Sequence, residues 1–251
     1  MMPPPGRGDP SRRRSCPVLV SLLAIAVFAS CATTNVRQTR KTPVVLSSGD
    51  AIAIVLDHFW YSYGSISIGE SLAECVAKAT SRKAAGVRVL SPAEFRNAIF
   101  PGFEAAAVPG TPETLALLLD HPEFRSRLET HGIRYLVLLR GGTKAIRHGD
   151  IGCDESGGRG GCYGVYWWDK TTDLSAFIMD TRQGALSGEI ATTSKGTPWV
   201  AVIFIAPVGI PVSTEYPACQ AIGESIAAHL SGGAPGPSVN GSPDPVRGTE
   251  K

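Results

Sequence analysis

The sequence predicts an α/β (or α+β) domain: a single layered unit with a mixed β-sheet flanked by helices, ending in a β-hairpin, a strand and a helix. Two observations carry this. Ala51–Leu56 (AIAIVL) and Ile133–Leu139 (IRYLVLL) are short apolar runs of the length and composition of buried strands. Around them lie segments whose apolar residues recur at helical spacing behind cap-forming residues. Helices alternating with apolar strands imply a sheet covered by helices.

Ala51–Leu56 is the first strand, and the stretch from Asp57-His58-Phe59-Trp60 to Gly69 reads as a loop. A helix near 70–84 follows, with Leu72, Cys75, Val76 and Ala79 at i, i+3, i+4 and i+7. Gly86 ends it, and Val87–Leu90 is a strand. Ser91-Pro92-Ala93-Glu94 is a capping-box start with proline in the first helical position. The short helix behind it turns Phe95 and Ile99 inward and stops at Pro101-Gly102. Thr111-Pro112 opens a helix carrying Leu115, Leu118 and Leu119, and Asp120–Glu123 restarts one through Phe124 and Leu128 to Gly132. Leu174–Asp180 and Ala185–Thr192 form a hairpin around Thr181-Arg182-Gln183-Gly184, where glycine accepts positive φ. Trp199–Ala206 is one further strand, with Ala201–Ile205 assigned to the core. Pro217–Leu230 is the last helix, with Cys219, Ile222, Ile226 and Leu230 on one face.

The N-terminus reads as an address. Arg7, Arg12, Arg13 and Arg14 precede an apolar run from Pro17 to Ala29, short for a bilayer span and suited to a signal peptide. Phe28-Ala29-Ser30-Cys31 resembles the lipobox of bacterial lipoproteins, with Phe28 where leucine is usual. That resemblance implies cleavage before Cys31 and fatty acylation (palmitate chemistry) of Cys31, hence a lipid-anchored membrane protein of the cell envelope. It faces the periplasm, and Ala32 favours the outer membrane. The organisation expected is a signal peptide over 1–30, a flexible tether over 31–47, one domain over 48–230 and a disordered tail over 231–251, which is rich in Gly, Pro and Ser. Residues 1–30 hold four of the 24 basic and one of the 22 acidic residues, so the mature chain carries 20 and 21, a net charge near −1. With no basic patch left, nucleic-acid binding is not expected.

Six cysteines occur. Cys16 leaves with the signal and Cys31 takes lipid, which leaves Cys75, Cys153, Cys162 and Cys219. An even number in an exported chain favours disulfides. Of three connectivities, Cys153–Cys162 with Cys75–Cys219 is the simplest.

Ile151–Lys170 (IGCDESGGRGGCYGVYWWDK) holds the most unusual composition and reads as a stapled loop. His148, Asp150, Cys153, Asp154, Glu155 and Cys162 offer metal ligands, but the close Cys/His pairs of zinc sites are missing, so no metal and no cofactor is assigned. GGRGG lacks the Gly-Lys-Ser/Thr of a phosphate loop. Asp57-His58 is the best acid–base candidate. His121, His131, His148 and His229 read as ordinary solvated residues, His229 in a last helical turn where its charge suits the dipole. No catalytic residue is assigned. Adjacent Trp167 and Trp168 cannot both face one core from a strand. Together with Tyr166 they form the candidate contact surface.

"VRVLSPAEF", "GIRYLVLLRG" and "LSAFIMDTRQGALSGEI" with a closing helix resemble the periplasmic domain of curli-secretion-type lipoproteins and the TolB N-terminal domain. Their strand–Asp–Gly-turn–strand pattern is matched by Asp180 to Gly184. The resemblance spans roughly 50–230 and implies an envelope interaction or assembly module with a protein partner. An envelope hydrolase or metal-binding enzyme is one alternative. Another is an oligomeric secretion-associated component using Trp199–Val212 as its assembly surface. The sequence does not set an oligomeric state.

Overall fold

An unbroken apolar run such as AIAIVL puts apolar side chains on both faces of a strand and needs cover on both. The computed structural model describes residues 32–56, 65–67, 69–99, 110–154, 161–204 and 206–232, and places that run inside a mixed nine-stranded sheet with helices on either side. The elements are β1 (Thr33–Arg40), β2 (Ala51–Leu56), β3 (Ser65–Ser67), α1 (Glu70–Lys83), β4 (Arg88–Leu90), α2 (Pro92–Ile99), α3 (Pro112–Leu119), α4 (Pro122–Thr130), β5 (Ile133–Asp154), β6 (Gly161–Asp180), β7 (Ala185–Gly196), β8 (Trp199–Phe204), β9 (Ala206–Ile210) and α5 (Glu215–Leu230). The main strand order is β1-β7-β6-β5-β2-β4, with β3 beside β5, β8 beside β6 and β9 beside β8. β2 runs parallel to β4 and β5. The other pairings are antiparallel.

Each sheet face buries its own core. Ile52, Ile54, Val137, Leu139, Ala176 and Ile178 pack under Val76 of α1 and Ala218, Cys219, Ile222 and Ile226 of α5. On the other face Ala53, Val55, Leu136 and Leu138 meet Phe95, Ile99, Leu115, Leu119, Phe124 and Leu128 from α2, α3 and α4. The inner surfaces of α2 and α5 are those their spacing predicts. The α2 capping box forms: Ser91 N donates to Glu94 Oε2 at 2.7 Å and Glu94 N to Ser91 Oγ at 3.3 Å. These bonds hold the Glu94 carboxyl below its ordinary pKa. α1 and α5 lie close because Gly223 has no side chain; a Cβ there would sit 2.6 Å from Ala79 Cβ. Cys75 and Cys219 bond across this contact, their Cα atoms 6.1 Å apart. Gly184 closes the β6–β7 turn at φ 62°. Asp180 Oδ1 accepts from the Arg182 and Gln183 amides at 2.9 and 3.0 Å.

Five expectations are corrected. The tether assigned to 31–47 contains β1, an edge strand paired with β7 at every residue from Thr33 to Arg40. Its inward positions are mostly polar, so no apolar alternation marked it. Thr34 Oγ1 donates to Ser194 Oγ at 3.1 Å, and Gln38 bonds His229 at 2.9 Å. The loop assigned to Ile151–Lys170 is, in its described residues, the outer part of β5 and β6, a ribbon that continues beyond the two cores and is widened by β8 and β9 along β6. Glycines masked the alternation there. The single strand Trp199–Ala206 gives way to β8 and β9, a hairpin lying along β6, and Ala201 and Val202 are half-buried rather than core. His229 is fully buried, not solvated. Ser65–Ser67, read as loop, pairs with β5.

The assignments to 1–30, Cys31, Asp57, His58, Pro101-Gly102, Glu155, GGRGG and 233–251 lie outside the described residues. Among the described residues no helix is long and apolar enough to cross a membrane.

Candidate functional site: a stapled aromatic ribbon

The ribbon forms because Tyr163, Val165, Tyr166, Trp167 and Trp168 are strand-favouring residues that gain by cross-strand contact. Its glycines permit close backbone approach: a Cβ at Gly164 would strike the Asp150 carbonyl, and Gly149 adopts φ 79°. Cys153 and Cys162 are directly opposite one another, with Cα atoms 4.0 Å apart, and their disulfide ties the outer end.

Strand alternation separates the three aromatic candidates. Tyr166 and Trp168 share one face, edge to face with ring centroids 4.7 Å apart. They are half-buried. With Trp199, Val200, Pro198 and Pro207, Trp168 lines a groove of about 560 Å³ that reaches Lys170. A smaller hollow of about 310 Å³ lies between Tyr166, Trp168, Arg147 and Ile151. Trp167 points to the opposite face and stacks on His148 at 5.8 Å. At the inner end of the groove Lys170 Nζ lies 2.7 Å from Glu215 Oε1. Burial pushes the Glu215 carboxyl up, but its hydrogen bonds from Lys170 and the backbone at 214–215 outweigh that, and its pKa falls below the ordinary value.

On the face bearing Trp167, the sequence pointed to that ring but not to its apolar neighbours Ile146 and Val165. Ile146 (46% exposed), Tyr163 (51%), Val165 (48%), Trp167 (39%) and Val208 (56%) are among the most exposed large apolar residues of the described chain. Register puts them on one surface: Ile146 opposes Asp169, Val165 opposes Ala201, and Ala201 opposes Val208. The odd-numbered alternation Tyr163, Val165, Trp167 was the available clue.

No family model and no curated protein matches the chain. Solved structures similar to it include two of a PelC dodecamer. One is a variant of the PelC dodecamer from Paraburkholderia phytofirmans, 14% identical, covering 79% of this chain and 98% of that chain at a TM-score of 0.38. The other is the PelC dodecamer from the same organism in a second crystal form, 13% identical, covering 79% of this chain and 97% of that chain, also at 0.38.

The acid–base and metal candidates do not converge. His148 Nε2 lies 2.8 Å from Asp169 Oδ2, and Asp150 Oδ1 accepts from the Ile151 amide at 2.8 Å. Both are surface pairs. Among the described residues no group of three or more His, Cys, Asp or Glu comes together to hold a metal. His121 and His131 sit at the two ends of α4.

Proposed function

We propose that the protein is a lipid-anchored cell-envelope lipoprotein, held to the membrane through Cys31, whose α/β domain serves as a protein-interaction or assembly module. The observation that carries this is the ribbon: β5 and β6 run on beyond the core with β8 and β9 beside them, are tied by Cys153–Cys162, and display aromatic side chains on both faces. Apolar side chains left exposed on so constrained a scaffold are a binding surface in search of its partner. The groove beside Trp168 and Tyr166 takes an extended apolar segment of an envelope protein. The resemblance to curli-secretion-type lipoproteins and the TolB N-terminal domain belongs to the same reading.

The test is site-specific crosslinking in native envelopes. Tyr166→Ala with Trp168→Ala removes the partner captured from the groove, while Leu117→Ala, exposed on α3, does not. An unchanged set of crosslinked proteins in the double variant sinks the module reading.

A second reading, self-assembly through the Trp199–Val212 segment, is favoured by one observation. β9 is an edge strand with exposed side chains and open backbone groups. Light scattering on the full lipidated chain in detergent decides it: a monomer at all concentrations counts against it.

A further inference from the structure

We infer that the face of the ribbon bearing Trp167, Val165, Tyr163, Ile146 and Val208 is seated on the headgroup layer of the lipid bilayer that holds the anchor. The inference rests on the reading of Cys31 as lipidated, and adds which surface of the fold the membrane covers.

Chain length and direction set where a lipid on Cys31 can lie. β1 begins at Thr33, two residues after Cys31, and two residues of chain reach at most about 7 Å. Thr33 pairs with Lys195, Lys195 with Thr171, and Thr171 with Lys144, so these four mark one level across the sheet. β1 is parallel to β6, two strands away, and its N-terminal end points toward the ribbon. Trp167 is four residues beyond Thr171, about 13 Å at strand rise. A lipid on Cys31 therefore places the bilayer surface beside the ribbon, and β1, bonded into the sheet along its whole length, leaves no slack to move it elsewhere.

The chemistry of the face suits that depth. Its apolar centre runs over β6, β8 and β9, from Val165 through Ala201 to Val208. The polar groups, Asp150 and the His148–Asp169 pair, stand on β5 and the adjoining edge of β6. Aromatic rings flanked by polar groups favour the membrane–water interface over the hydrocarbon.

The test uses the full lipidated chain in phosphatidylethanolamine/phosphatidylglycerol vesicles whose acyl chains carry bromine near the headgroup. Tryptophan quenching is compared for Trp199→Phe, Trp199→Phe with Trp167→Phe, and Trp199→Phe with Trp168→Phe, because Trp199 is directly opposite Trp167 and would report beside it, with near-ultraviolet circular dichroism reporting that each variant is folded. Seating on the bilayer predicts bromine quenching that adding Trp167→Phe largely abolishes and adding Trp168→Phe leaves in place. Equal emission in brominated and plain vesicles overturns the inference. So does shielding of Trp167 from both bromine and aqueous acrylamide, which shows a second copy or another protein covering the face. The mass of Cys31 is read from the same samples. An unacylated Cys31 sinks the anchored reading and this inference together; an acylated Cys31 without bromine quenching sinks this inference alone.

Discussion

Gln38 and His229 stand 191 positions apart and hydrogen-bond at 2.9 Å, joining the first strand to the last helix. Arg40 adds a bond to the His229 carbonyl at 3.1 Å. Burial, with the nearby Arg40 charge, lowers the His229 pKa from 6.5 to about 4. The imidazole is thus neutral in the folded protein at pH values where the unfolded chain is already protonated. Stability is complete above about pH 6.5, falls as the pH drops from there toward 4, and changes no further through this group below that. The loss reaches at most about 3 kcal/mol. Urea denaturation of the protein at pH 7.5 and pH 4.5 measures it, and His229→Gln, which keeps a neutral hydrogen-bonding side chain, removes most of the pH dependence. A variant with the same pH slope as the parent shows that other groups carry the effect. Gly188 packs against the same ring, where a Cβ would fall inside contact distance of His229 Cε1. Gly188→Ala is expected to cost about 1–3 kcal/mol in the same assay.

The two disulfides act on elements of different standing. Cys75–Cys219 joins α1 and α5 across 144 positions of sequence, inside one of the two cores. On the chain-entropy account its removal costs about 5 kcal/mol at most. Cys153–Cys162 spans nine positions at the outer end of the ribbon, where neither core reaches. Cys153→Ser with Cys162→Ser should leave the melting of the domain nearly unchanged and accelerate amide exchange only over 145–170. Faster exchange in β2 or α5 contradicts that division. The same contrast explains what could be read from the sequence. Ala51–Leu56, the Ser91–Glu94 capping box, the inner face of α5 and the Gly184 turn each declare themselves within a few residues, by periodicity or by turn chemistry. β1 does not, because Thr34 and Gln38 are inward-facing only by virtue of Ser194 and His229, partners remote in sequence. The ribbon does not either, since Gly141, Gly149, Gly152 and Gly164 break the alternation that Tyr163, Val165 and Trp167 would otherwise show. The site was legible as composition, aromatic rings beside paired cysteines. Which ring faces which way required the register.

At the scale of the molecule, the proposed anchor at Cys31 has consequences at the far end of the sheet. From Val165 to Asp180, β6 rises 15 residues, on the order of 50 Å at strand geometry. β5 and β6 span this length, β7 covers only its inner part from Lys170 to Asp180, and β1 pairs with β7 there. A domain on a loose tether samples all orientations over the membrane, whereas one bonded through β1 from its second residue after the anchor holds a single one. On the proposed anchoring, the β6–β7 turn at Thr181–Gly184 points away from the bilayer and the outer part of β9 lies against it. Spin labels on Gln183→Cys and Val208→Cys in the reconstituted, lipidated chain separate the two arrangements. The expected result is fast relaxation of the Gln183 label by a water-soluble nickel complex with little effect of oxygen, and the reverse at Val208, where oxygen concentrates in the bilayer. Equal exposure of both labels to the aqueous reagent would mean that β1 detaches from β7 in the membrane-bound protein, and that the tether is flexible after all.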